Sequence, residues 1–208
     1  MRQVALTFLA ALIVVASAAG SVNSSALNRT TFDDALGEDP AAPDIATVRV
    51  SNDDEGTLTF RIALPNRPTL GNDMRFSLSI DADSNAQTGL TGSGIDYRLL
   101  YDFYLHGDRL LWLLTCGPSV CTSGAKLPFS YAAGPVVTID RAEIGNTRRF
   151  RFFLNTMDGI VFDPVAKTFD LSNAHGDAAP DASAPSPWTY EVKLGPSRLL
   201  VQRFSTTP

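Results

Sequence analysis

Hydrophobic and polar residues alternate through much of the chain. Thr57-Leu-Thr-Phe-Arg-Ile-Ala-Leu64 sets Leu58, Phe60, Ile62 and Leu64 on one side of an extended segment and Thr57, Thr59, Arg61 and Ala63 on the other. That two-residue period belongs to a strand with one buried face. Residues 47–50 and 74–80 alternate in the same way, and further strands are predicted over 96–104, 109–115, 127–131, 136–139, 148–155 and 188–194. Helical periodicity is confined to one turn at 140–145, with Asp140 as cap and Gly145 as stop. Eight or nine short strands joined by Gly, Asp and Pro turns predict an all-β fold, an antiparallel two-sheet β-sandwich. Two stretches fall outside this pattern: a polar, Asp-rich entry segment over 19–42, and a loop dominated by Ala, Asp, Pro and Ser over 173–187. The sandwich domain is therefore expected over 43–195, with a tail over 196–208.

The first residues break the alternation. One positive charge at Arg2 precedes an apolar run from 4 to 16, and Ala16-Ser17-Ala18 supplies a small-x-small cleavage pattern. Residues 1–18 read as a signal peptide, so a secreted or cell-surface protein is expected. The run is shorter than the roughly 20 residues a membrane span needs. Export gives the two cysteines a meaning: Cys116 and Cys121 bracket Gly-Pro-Ser-Val between strand-like segments. A loop that short sets its flanks opposite each other, which predicts a disulfide.

Composition narrows the function classes. The chain has 208 residues, 44% hydrophobic and 19% charged, with a net charge of −5. Loss of Arg2 with the leader would take it to about −6, which argues against a nucleic-acid partner. The acidic residues are 18 Asp and only 4 Glu. Asp favours turns, caps and oxygen-ligand metal sites over helices.

One segment concentrates that chemistry. In Asp81-Ala-Asp83-Ser-Asn85-Ala-Gln87-Thr88-Gly89, at the end of the 74–80 strand, alternate residues project to one side. Asp81, Asp83 and Asn85 thereby offer converging oxygens, with a backbone carbonyl near Gln87 as a fourth ligand. Asp96, after the 89–94 glycine-rich loop, can swing back toward them, and Asp39 and Asp44 are further candidates from the entry segment. Calcium is the expected ion, since magnesium demands a tighter octahedron. An EF-hand is excluded: position six is Ala86, position twelve is Gly92, and no helices flank the loop. The competing reading is an Asx-rich turn whose side chains cap backbone N–H groups.

The segments Asp81-x-Asp83-x-Asn85-x-x-Thr88-Gly89 and Gly94-x-Asp96-Tyr97, together with Ala42-Pro-Asp44-Ile45 before a strand, resemble small secreted bacterial β-sandwiches of the DOMON-like group. That group includes the family 9 carbohydrate-binding modules. The resemblance spans roughly 33–194 and implies a jelly-roll-like sandwich with structural calcium; it does not by itself imply a sugar ligand. Material for sugar stacking exists in Trp188 and Tyr97, with Trp188 equally suited to packing at the sandwich edge and Trp112 expected in the core. No G-x-S-x-G or H-E-x-x-H motif occurs, and the histidines are only His106 and His175. The expected function is a secreted, non-catalytic, calcium-stabilised binding module. The alternatives are a carbohydrate-binding module attached to polysaccharide metabolism, and an extracellular hydrolase of unrecognised type.

Overall fold

The computed structural model describes residues 28–103, 109–181 and 186–195. The expected leader over 1–18, the tail over 196–208 and His106 lie outside them. Among the described residues the chain forms two antiparallel sheets packed face to face, with a 3-10 turn as the only helical element. Sheet one contains β1 (Asn28–Asp33), β2 (Thr47–Asn52), β3 (Thr57–Ala63), β9 (Pro135–Asp140) and β8 (Phe129–Tyr131), in that spatial order. Sheet two runs β7 (Cys121–Leu127), β6 (Leu111–Cys116), β5 (Tyr97–Asp102), β4 (Arg75–Asp81), β10 (Arg149–Asp158). The far side of β10 is shared between β13 (His175–Ala179) and β14 (Trp188–Glu191). A small hairpin, β11 (Val161–Asp163) with β12 (Thr168–Asp170), lays Phe169 against Arg75, whose guanidinium carbon is 5.1 Å from the ring centroid.

The alternation read from the sequence is what closes the sandwich. Val48, Val50, Leu58, Phe60 and Ile62 of sheet one are buried against Phe76, Leu78, Ile80, Phe150 and Phe152 of sheet two. Phe60 meets Phe150 and Phe152 across the interface, with ring centroids 6.1 and 6.2 Å apart. Burial of side chains this size is worth roughly 1.5–3 kcal/mol each. A buried polar tie runs between the sheets: Asn52 Oδ1 accepts from the Tyr190 hydroxyl at 2.9 Å, and Asn52 Nδ2 donates to the Lys193 carbonyl at 2.7 Å.

The helical turn falls where the sequence placed it, over Arg141–Ile144. Asp140 accepts from the Ala142 N–H, Glu143 reaches back to the Asp140 N–H, and Gly145 ends the turn in the left-handed region at φ 77°. The predicted disulfide is present: Cys116 and Cys121 face each other at the end of β6 and β7 with Cα atoms 3.8 Å apart.

Four expectations need correction. Fourteen strands, not eight or nine, are found among the described residues. The 19–42 segment is not merely an entry: its part from Asn28 forms β1, paired with β2 along six residues. Part of the 173–187 loop is β13, paired with β10. Trp112 is half-buried on the outer side of sheet two rather than in the core, with the Lys126 ammonium 4.6 Å from its ring centroid.

Candidate metal centre

Strand β4 ends on Asp81, opposite Arg151 of β10. Asp81 is 6% exposed, so its charge needs a partner. The Arg151 guanidinium supplies one, donating to Asp81 Oδ2 through Nε at 2.9 Å and through a terminal nitrogen. The other oxygen, Oδ1, is buried and has no hydrogen-bond partner.

Beyond Asp81 the chain curls through an Asx-rich loop and returns along β5. Asp83 Oδ1 accepts the Asn85 N–H at 2.9 Å, and the Thr88 hydroxyl donates to the same carboxylate at 3.0 Å. Asn85 Oδ1 accepts the Gln87 N–H at 3.0 Å. Asn85 and Gln87 are exposed and build the turn, so the capping role accounts for the contacts they make. The loop closes back on itself because Gly94 sits at φ 69° with no side chain: a Cβ there would lie 2.9 Å from the Asn85 carbonyl and 3.1 Å from Asp81 Oδ2. That close approach brings Asp96 to the end of β4, where its Oδ2 accepts the Ala82 N–H at 2.9 Å.

Asp81, Asp83 and Asp96 thus each present an oxygen within 4.8 Å of the others. Burial is the main cause that raises the Asp96 pKa above the ordinary carboxylate value. The Asp83 and Asp81 charges push the same way, while the Ala82 N–H and Thr88 oppose them. A cation among the three would relieve both the repulsion and the unpartnered Asp81 oxygen, so the donor set fits a hard, oxygen-seeking ion. Asp83 and Asp96 open onto a cleft of about 340 Å³ that Tyr97, Thr115, the Cys116 end of the disulfide and Thr147 also line.

Asp39 and Asp44, expected as extra ligands of this centre, are elsewhere. Asp81 lies opposite Arg151, whereas Asp177 of β13 lies opposite Thr156 on the same strand β10. Five residues of strand separate the two positions, roughly 17 Å. At that distant end Asp44 gathers with Glu38 and Asp177, and Glu38 also meets Asp34 and Asp181. Asp177 Oδ2 accepts the Ile45 N–H at 2.7 Å, which fastens β13 to the segment leading into β2. Asp39 pairs with His175 Nδ1 at 2.8 Å, and that hydrogen bond holds its carboxyl below the ordinary value. Asp34 is pushed up to about 7, chiefly by burial and then by the Asp181 and Asp177 charges. Glu38 is also pushed up to about 7, here chiefly by its side-chain hydrogen bond with Asp181.

Trp188 is half-buried and stacks on Phe32 of β1 at 5.3 Å, with Phe152 at 5.7 Å. Its ring is engaged in closing the sandwich edge. Tyr97 lines the cleft beside the acidic trio. Sequence reasoning missed Arg151 as the partner of Asp81, because a register across β4 and β10 is invisible in local spacing. It also missed the Asp34 cluster, which joins Asp34 and Glu38 to Asp181 from the far end of the chain.

Fold and centre together define an antiparallel β-sandwich carrying a three-carboxylate cluster at the end of a central strand. Comparison with protein-family models, curated proteins and solved structures finds no match.

Proposed function

We propose that this protein is a secreted, non-catalytic β-sandwich module stabilised by calcium, held by Asp81, Asp83 and Asp96. The observation that carries the reading is the buried Asp81 Oδ1, which lacks a hydrogen-bond partner and belongs to a group of three carboxylates. Three carboxylates do not fill the six to eight oxygen positions calcium takes, so carbonyls and water complete the shell. Structural calcium agrees with the DOMON-like resemblance of this loop.

The hydrolase alternative has less support. Asp83 and Asp96 line one cleft, yet Asp83 is tied into its own turn by the Asn85 N–H and the Thr88 hydroxyl, and Asp96 accepts the Ala82 N–H. Neither is held apart across the cleft as an acid and a base facing a substrate would be. The packing of Trp188 against Phe32 and Phe152 gives no support to a sugar platform at that residue.

Thermal unfolding tests the metal. Calcium at a hundred times its dissociation constant adds about 2.7 kcal/mol, which for a domain of this size raises the melting temperature by roughly 5–10 °C. The chelated parent should show that rise on adding calcium, and Asp83→Ala should abolish it. Equal melts of the parent with calcium and with chelator would overturn the proposal.

A further inference from the structure

The outer face of sheet one carries a charge pattern opposite to that of the chain. Net charge is −5, yet Arg49 of β2 and Arg61 of β3 are exposed and directly opposite each other across adjacent strands. Like charges in that register destabilise a sheet. Neither arginine has a hydrogen-bond or ion-pair partner among the described residues. The row containing them runs Thr31, Arg49, Arg61, Val136, Ser130 from β1 to β8. Arg29 stands on the same face one row away, opposite Ser51. Against these three arginines the face carries two acids, Asp33 opposite Thr47 and Asp140 opposite Thr57. A groove of about 380 Å³ lies here, lined by Thr47, Arg49, Arg61, Ala63, Pro65 and Val136.

We propose that this face binds a carboxylate-bearing polysaccharide, a polyuronate, with the Arg49–Arg61 pair gripping its carboxylates. The side chains match that chemistry in three ways. Guanidinium forks suit carboxylates, and two of them side by side repel each other until an anion bridges them. The Thr47, Thr59 and Thr138 hydroxyls, on the same face, suit sugar hydroxyls; Thr59 and Thr138 lie 3.4 Å apart. Ala63, Pro65 and Val136 give small apolar patches for the C–H faces of sugar rings. An acidic peptide is a poorer fit, because β2 and β3 are interior strands whose backbone groups are already paired on both sides, leaving no edge for an added strand. The proposal goes beyond the calcium reading and is independent of it, since sheet one contributes none of Asp81, Asp83 and Asp96.

The test is affinity electrophoresis of the folded protein at low salt with chelator present, in gels holding polygalacturonate, neutral dextran or poly-L-glutamate. Polygalacturonate should retard the protein and dextran should not. Exchanging Arg49→Gln and Arg61→Gln together should weaken retardation by roughly tenfold for each arginine, without lowering the melting temperature. Arg49→Lys with Arg61→Lys keeps the charge but loses the fork, and should bind polygalacturonate more weakly than the parent. No retardation by polygalacturonate, unchanged retardation in the folded Gln variant, or equal retardation by poly-L-glutamate would each overturn the proposal. Chelator keeps its failure distinct from failure of the calcium reading.

Discussion

Asp34 carries a proton at a pH where an ordinary aspartate has lost it, because burial and the Asp181 and Asp177 charges raise its pKa from 3.8 to about 7. Between those values the native state binds more protons than the unfolded chain, so stability falls as pH rises through the window. Glu38, raised to about 7 mainly by its bond to Asp181, acts in the same direction. The carboxylates with lowered values, Asp39, Asp163 and Asp170, lose their contribution only below the ordinary carboxylate range. The melting temperature measured with chelator should therefore fall from pH 5 to pH 8, and Asp34→Asn should flatten that fall and melt higher than the parent at pH 8. A parent whose melt is level across the window would show that these acids do not interact as described. At this scale three of the five expected ligands, Asp81, Asp83 and Asp96, do stand close together, because the strand period and the glycine-rich return that suggested them are local features. The sequence could not name Arg151, nor move Asp39 and Asp44 to the far end of β10, because those placements depend on register between distant strands.

Strands with one buried face were legible as elements, whereas the polar margin strands β1 and β13 were not. β3 and β4 alternate apolar and polar residues because their inner sides meet the opposing sheet. β1 reads Asn-Arg-Thr-Thr-Phe-Asp and β13 His-Gly-Asp-Ala-Ala. Both lie at a sheet margin with mostly exposed or half-exposed side chains, which leaves little hydrophobic signature. β6 shows the opposite limit: Leu111-Trp-Leu-Leu114 is apolar throughout, so its period does not say which side faces inward. Its pairing with β7 shifts register between Trp112 and Leu114. β1 depends on Phe32, whose ring packs on Phe152 at 5.1 Å and on Trp188 at 5.3 Å. Phe32→Ala should cost roughly 2–3 kcal/mol, with amide exchange quickening first in β1 and in Trp188–Glu191. Uniform quickening over both sheets would show that this edge does not open by itself.

Taken as a whole molecule, the sandwich holds together through aromatic packing between the sheets and a few buried polar ties, and the disulfide is a local clasp. Cys116 and Cys121 are five positions apart at the tip of one hairpin. Closing so short a loop removes little unfolded-chain entropy, about 2 kcal/mol. Reduction should leave the sheets folded, with a melting temperature lower by a few degrees; loss of the β-sheet circular-dichroism signal on reduction would refute this. No helix among the described residues is long and apolar enough to cross a membrane.

By itself the sequence determined the all-β class, the paired cysteines, the capped turn at Asp140 and the three carboxylates near the end of β4, since each rests on a short-range period or spacing. Only the tertiary structure decided which strands are neighbours. From that follow the Asp81–Arg151 pair, the second acidic cluster, the stacked position of Trp188 and the unpaired Arg49–Arg61 face. The physical reason is that backbone hydrogen bonding lets many registers form, and the choice among them is made by side chains that meet only once two whole sheets have packed.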